Sequence, residues 1–346
     1  MGLRRKDVVN RMQVGVYHVT TRCVRQAFLL GTDYQIDSSN HERKSWIEQW
    51  FQSLTDVMLI ELCAYAVMDN HTHSILRNRP DLLEEMDDRE VAIRLARLYP
   101  GYQCLQGLPV EPDPERVHEL LDNPEELKRR KTQLVDISIF MARWEEAVAR
   151  RANKEEDRTG RFWEGRFYCQ KLLDSAAILA ATVYVELNPL RANIVELPEY
   201  SQFTSLVNRI KLSTARAGRT PEELIERASP GLEYEAGASG DGPAAVSNVM
   251  DCDGFLPIDN QRYLRVIEFV SRRKANGKTC EMLHSVPDLL TRLGVRPENW
   301  RQTATTFEKA YRQFAGSPAL LSEVADNLEQ RCIHGISTAQ RVYLSN

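Results

Sequence analysis

No stretch of this chain is apolar over the roughly 20 residues that a membrane-spanning helix needs. The basic start, Met1-Gly2-Leu3-Arg4-Arg5-Lys6-Asp7, has no apolar core of the kind a secretory leader carries. Cysteine is sparse and shows no pattern. The seven residues (Cys23, Cys63, Cys104, Cys169, Cys252, Cys280, Cys332) are odd in number, and none forms a Cys-x-x-Cys pair. A disulfide framework and a zinc ribbon are thereby excluded, and free thiols in a reducing cytoplasm are expected. There is no P-loop and no internal repeat. An excess of positive charge is also missing: the formal net charge is -4, which gives no support to a generic nucleic-acid binder. A local basic surface outweighs the total, however. What is present is a globular composition, 42% hydrophobic and 27% charged over 346 residues, long enough for two domains.

Gly15-Val16-Tyr17-His18-Val19-Thr20-Thr21-Arg22 is β-branched and aromatic, and reads as a first strand. His18 within it is expected to be structural. Residues 42–60 place Trp46, Ile47, Trp50, Phe51, Leu54, Val57 and Met58 at helical spacing, with the Trp46/Trp50 stripe as core. A run from Cys63 to Leu76 then reads as a strand. From 80 to about 130 the sequence turns acidic (Asp81, Glu84, Glu85, Asp87, Asp88, Glu90) and is punctuated by prolines, which suggests an inserted, solvated helical lobe. A long helix is expected over 125–152. A loop follows at 160–167 and leads into another strand, then a helix capped by Asp174-Ser175 and ended by Asn188-Pro189. Residues 206–255 are expected to be a linker, with Gly237-Ala238-Ser239-Gly240-Asp241-Gly242-Pro243 its most flexible part. Residues 256–346 are expected to form a helical accessory domain with no defensible metal or nucleophile constellation. The unit at 1–205 carries the chemistry.

That chemistry starts at His71-Thr72-His73. Residues i and i+2 of a strand point the same way, so the two imidazoles project together and can share one metal ion. The second group is Tyr184 and Asn188, four apart and thus on one helix face. Two imidazoles and an amide oxygen leave positions open for phosphate and water, a donor set suited to Mg²⁺ or Mn²⁺. A phenol with a pKa near ~10 needs help to attack phosphorus at neutral pH, and a divalent ion supplies it. The product would be a covalent phosphotyrosine and a free hydroxyl.

Four segments in this order, Tyr17-His18-Val19-Thr20-Thr21-Arg22, Met68-Asp69-Asn70-His71-Thr72-His73, Arg161-Phe162-Trp163-Glu164-Gly165-Arg166-Phe167 and Tyr184-Val185-Glu186-Leu187-Asn188-Pro189-Leu190-Arg191-Ala192, resemble the REP-associated tyrosine transposases, a branch of the single-tyrosine HUH transposases. The resemblance covers about residues 8–205. It implies an α+β fold: a ferredoxin-like core of HUH endonuclease type, with a central antiparallel sheet and packed helices. It implies a metal held by His71 and His73 with Asn188 as third ligand, and a nucleophile at Tyr184. The implied activity is cleavage and transfer of single-stranded DNA near hairpins through a 5′-phosphotyrosine, by a monomer or homodimer. Two positions depart from the family's usual pattern: Asp69 stands where proline is common, and Thr72 where a hydrophobic residue is usual.

Basic side chains that would meet DNA are Arg4, Arg5, Lys6 and Arg11 in the N-terminal tail, and Arg161, Arg166, Lys171 and Arg191 nearer the tyrosine. A helix cap explains Arg191 equally well. For Trp163, Phe167 and Tyr168, one apolar strand face competes with a surface on which bases stack. Two other functions are weighed: a catalytically silent, domesticated DNA-binding protein of the same fold, and a phosphohydrolase of small substrates, supported only by the histidine pair.

Overall fold

The computed structural model describes residues 3–24, 30, 39–100, 111–217, 256, 258–271 and 285–344. The glycine-rich stretch 237–243 and Cys104, Cys252 and Cys280 lie outside them; the described cysteines, Cys23, Cys63, Cys169 and Cys332, are free. After a one-turn helix α1 (Arg5–Val8), the chain enters β1 (Gly15–Arg22), helix α2 (Ser39–Val57), β2 (Ile60–Val67) and β3 (His71–Asn78). Helices α3 (Pro80–Glu84), α4 (Asp88–Leu98), α5 (Pro114–Leu121) and α6 (Pro124–Lys131) precede α7 (Ile137–Glu155) and β4 (Tyr168–Leu172).

The sheet order is β2-β3-β1-β4, every neighbouring pair antiparallel, with β5 (Phe314–Ala315) added parallel to β4 at the edge. The strand–helix–strand–strand–helix–strand succession β1-α2-β2-β3-α7-β4, in the spatial order 2-3-1-4, is the ferredoxin-like arrangement. The expected α+β fold with a central antiparallel sheet is thus what the chain forms. The wide apolar stripe of α2 makes it a core helix: Phe51 stacks on Trp144 of α7 at 4.3 Å between ring centroids and lies 6.4 Å from Tyr65 of β2. Both helices therefore cover one face of the sheet. No helix among the described residues is long and apolar enough to cross a membrane.

Two local expectations are corrected. The run from Cys63 to Leu76 is a hairpin, turned at Met68-Asp69-Asn70, so the histidines open β3 rather than sit within one long strand. The helix expected over 125–152 is two helices. A 3₁₀ turn at Thr132–Val135 and Asp136 interrupt it, and the Asp136 carboxylate accepts from the Ser138 N–H at 2.7 Å to start α7 afresh. The acidic lobe is α3 to α6. Leu83, Val91, Leu95, Leu120 and Leu127 are buried there, while Asp81, Glu84, Glu85, Asp87 and Asp88 face solvent.

The opposite sheet face carries α8 (Ser175–Glu186), followed by a single turn α9 (Asn188–Arg191) and by α10 (Ser205–Ala217). The linker expected from residue 206 is therefore helical over its first part. Helix α8 is apolar all round, and its alanines Ala176, Ala177, Ala180 and Ala181 are all buried. Such a helix needs cover on every side. The sheet lies on one side of it. The other side is covered by the C-terminal segment: α11 (Asn260–Ser271), α12 (Ser285–Arg292), α13 (Pro297–Thr305), α14 (Phe307–Ala310), β5, α15 (Pro318–Asn327) and α16 (Ile336–Val342). Trp300 of α13 is buried against α8 and donates its indole N–H to the Ala176 carbonyl at 3.1 Å. Where β5 meets the start of α8, only glycine fits: a Cβ on Gly316 would stand 2.8 Å from Leu173 Cβ. The segment expected as a separate helical accessory domain thus supplies a strand to the sheet and a roof to α8.

Candidate active site

The register of β1 on β3 sets Thr20 opposite His73 and Arg22 opposite His71. The register of β1 on β4 sets His18 opposite Gln170. By strand alternation, His18, Thr20, His71, His73 and Gln170 all face α8. His18 Nε2 lies 3.0 Å from His73 Nδ1, and Thr20 Oγ1 lies 3.1 Å from that same nitrogen. The rings of His71 and His73 stand edge to face at 4.9 Å. Two carboxamides orient the outer imidazoles. Asn70 Oδ1 accepts from His71 Nδ1–H at 2.6 Å, and Gln170 Oε1 accepts from His18 Nδ1–H at 3.2 Å. Each bond puts the proton on Nδ1 and leaves Nε2 its lone pair.

Burial governs the protonation of this cluster. His18 is 0% and His73 1% exposed. Burial lowers all three imidazoles: His18 below its ordinary value, His73 well below it, and His71 to about 4. They are therefore neutral at pH 7, the form that binds a cation.

Tyr184 reaches the cluster from α8. Its ring centre is 5.7 Å from that of His73 and 6.0 Å from that of His18. Its hydroxyl donates at 3.2 Å to Glu308 Oε2, on the one-turn α14 of the C-terminal segment. The other oxygen, Glu308 Oε1, accepts from Thr20 Oγ1 at 3.0 Å and lies 3.6 Å from His73 Nδ1. Arg22 brings its guanidinium to 3.6 Å from Oε2. Arg191 stacks its guanidinium on the Tyr184 ring at 4.0 Å. Burial pushes the phenol above its ordinary value and the Glu308 charge adds to this, while Arg191 opposes both.

No protein-family model matches this sequence, and no curated protein matches it. A solved structure described as a REP-associated tyrosine transposase bound to a REP hairpin aligns with 70% of this chain and 100% of that chain, at 14% identity and a TM-score of 0.36. That score carries no argument about the fold; the ferredoxin-like arrangement is read from this chain's own sheet order.

The residues expected from sequence fall into three groups. His71, His73 and Tyr184 meet on one sheet face. Asn188 is buried at the first position of α9, one residue beyond the break between α8 and α9 at Leu187. The helix therefore ends one residue earlier than Pro189 suggested, and Asn188 begins a new turn instead of continuing the Tyr184 face. Among the basic residues, Arg191 touches Tyr184, while Arg5 donates to the Phe167 carbonyl and stacks on its ring at 3.7 Å. Arg4 pairs with Asp7 at 3.3 Å, and Arg11 lies 3.9 Å from Asp136. Lys6, Arg161 and Arg166 face solvent, and Lys171 is half-buried, its ammonium lowered by burial. Trp163 and Phe167 are buried core, and Tyr168 is exposed beside the site. Asp69 is turned to Lys44, which donates to it at 2.5 Å, and Thr72 is buried on the other sheet face.

Two participants escaped the sequence reading. A lone histidine in a strand carries no signal, and His18 belongs to the cluster instead of the structural role expected for it. Glu308 has no motif around it. Its only trace in sequence is a place in a segment that offered no constellation of its own.

Proposed function

We propose that this chain is a metal-dependent single-stranded DNA endonuclease and strand transferase acting on hairpin DNA, with Tyr184 as nucleophile. The observation that carries the reading is one tyrosine ring set edge-on to two neutral imidazoles, His73 at 5.7 Å and His18 at 6.0 Å between ring centres, with His71 beside His73 in the same buried polar site. A structural tyrosine needs a single acceptor, not a set of histidines. The four-part sequence pattern supplies the class of reaction.

In this reading His71 and His73 hold a divalent ion, Mg²⁺ or Mn²⁺, with Asn188 as an oxygen donor. The bound ion would supply charge to the scissile phosphate. The neutral imidazoles with oriented lone pairs and the oxygen donors nearby suit such an ion. Tyr184 Oη forms a bond to phosphorus as the bond from phosphorus to the 3′ oxygen breaks. The phenolic proton is given up and the departing 3′ oxygen gains one, leaving a 5′-phosphotyrosine and a 3′-hydroxyl. The P–O bond energy is retained, so the step runs backwards onto another 3′ end. Arg191 holds the ring in place, and Arg22 stands where it meets a phosphate oxygen. Lys6, Arg161 and Arg166, which face solvent, are among the basic side chains available to the DNA backbone.

The test is incubation with end-labelled single-stranded hairpin DNAs and Mn²⁺ or Mg²⁺, resolved on a denaturing protein gel. A labelled band at protein mass is expected, lost with EDTA and in Tyr184→Phe. A band undiminished in Tyr184→Phe refutes the assignment. One observation favours the second reading, a DNA-binding protein that does not cleave: Tyr184 is only 6% exposed. Retarded DNA on a native gel, with no covalent band under either metal, selects it.

A further inference from the structure

We propose that the C-terminal segment supplies a carboxylate ligand, Glu308, which completes a divalent-cation centre with His18 and His73. The site would then be assembled from two ends of the chain, and the cation would lock α14 onto the sheet. The proposal takes its chemistry from the metal-dependent reading above and shares His73 with it, but it sets His18 and Glu308 beside that residue where the reading above sets His71 and Asn188, and its geometry stands apart from DNA cleavage.

Three observations carry it. First, one nitrogen of each of His18 and His73 and one oxygen of Glu308 all lie within 4.8 Å of one another, and the two histidines are fully buried. Two ligands about 2.1 Å from one ion and at right angles to it stand about 3.0 Å apart, and wider angles give more. The separations of 3.0 Å between the imidazole nitrogens and 3.6 Å from His73 Nδ1 to Glu308 Oε1 are edges of that size.

Second, His18 is prepared as a ligand. Gln170 is buried and uses its oxygen on His18 Nδ1–H, while its amide nitrogen has no partner among the described residues. A buried carboxamide that leaves its N–H₂ unsatisfied is placed for its acceptor, which turns the His18 Nε2 lone pair toward His73. Third, α14 is held over the site by packing of its own. Phe307 is buried with its ring centre 6.2 Å from both His18 and Tyr184, so the backbone delivers Glu308 at a defined depth.

The same carboxylate also fills the place where a phosphate would meet Tyr184, Thr20 and Arg22. A ligand and a plug predict opposite behaviour, which makes the test decisive. The full-length chain is titrated with Mn²⁺ alone by calorimetry, and its thermal midpoint is followed with and without Mn²⁺. Wild type is compared with Glu308→Gln, which keeps the shape and the Thr20 contact, and with Glu308→Asp.

Expected are a wild-type chain that binds Mn²⁺ and is stabilised by it, an affinity at least tenfold weaker in Glu308→Gln with the Mn²⁺-dependent rise in midpoint lost, and a smaller loss in Glu308→Asp. Unchanged Mn²⁺ affinity in Glu308→Gln overturns the proposal, as does a wild-type chain that binds no Mn²⁺. A rise in covalent DNA adduct in Glu308→Gln at unchanged Mn²⁺ affinity identifies the carboxylate as a plug. Glu308-dependent Mn²⁺ binding in a protein that forms no adduct keeps this centre and removes the nuclease reading instead.

Discussion

Two polar clusters lie along α8, two residues apart, and they are built in opposite ways. At Glu186 the charges close. This carboxylate is 0% exposed, and Arg209, 1% exposed, donates to its Oε1 at 2.7 Å. Ser205 donates to the same oxygen at 2.5 Å, Tyr263 to the other at 2.5 Å, and Arg209 spends a further N–H on the Cys63 carbonyl at 2.6 Å. Anion, cation and hydrogen bonds match, so the cluster needs nothing more, and it ties α8 to β2, α10 and α11. At Tyr184 they do not close. Three imidazoles crowd one another, a carboxamide nitrogen has no partner among the described residues, and the Arg22 guanidinium stands 3.6 Å from Glu308. A buried network left open costs stability, and such sites are kept where chemistry uses the opening. The contrast separates a closed clamp from an open polar site on one helix.

The sharpest way to break this contrast is Tyr184→Phe. It is expected to reduce the covalent adduct to background while DNA retention on a native gel persists; loss of both would make Tyr184 a structural residue like its neighbour. On the closed side, Arg209→Met leaves the buried Glu186 carboxylate without its cation, held by Ser205 and Tyr263, which is expected to cost about 3–5 kcal/mol in urea denaturation. A cost below about 1 kcal/mol would show that the cluster is no clamp.

Glu145, on the far sheet face, tests the same rule with pH. It accepts from Thr21 at 2.8 Å, and burial pushes its carboxyl up to about 7 from an ordinary 4.5, although Thr21 and Arg5 oppose this. A raised pKa means the folded state holds the proton longer. The stability linked to it is therefore present below about 4.5 and lost as pH rises to about 7. Glu145→Gln is expected to gain on wild type across that window and to stay about 1–3 kcal/mol ahead at pH 8 in thermal melts. A gap that does not change with pH would remove the assignment.

The smallest effect is at the other end of α8. The Asp174 carboxylate caps the helix at 2.9 Å from the Ala177 N–H, and also accepts from the Ser317 N–H at 2.7 Å and the Tyr343 hydroxyl at 2.8 Å. Asp174→Ala is expected to cost about 1–2 kcal/mol. If it also loosens the C-terminal segment, limited proteolysis should show faster cleavage there, whereas an unchanged digestion pattern would confine Asp174 to a local cap.

Much of this was legible in the sequence, unevenly. The bounds of β1 follow from its β-branched alternation, and the start of α8 from Asp174, because a cap is a local bond. The pairing of His71 with His73 follows from the strand period alone. The hairpin between β2 and β3 was missed because its turn, Met68-Asp69-Asn70, has no glycine or proline to mark it. The break before α7 was missed because apolar spacing continues through Leu134 and Val135 into Ile137.

By itself, then, the sequence determined the elements, the strand–helix succession, and the facing of one histidine pair and one tyrosine. These depend on periods of two or 3.6 residues and on contacts a few residues away. Tertiary structure alone decided that His18 joins the pair and that a carboxylate 288 positions from Thr20 closes over the site. Those outcomes depend on strand order and on which layer covers an all-apolar helix, and no local pattern of residues encodes either.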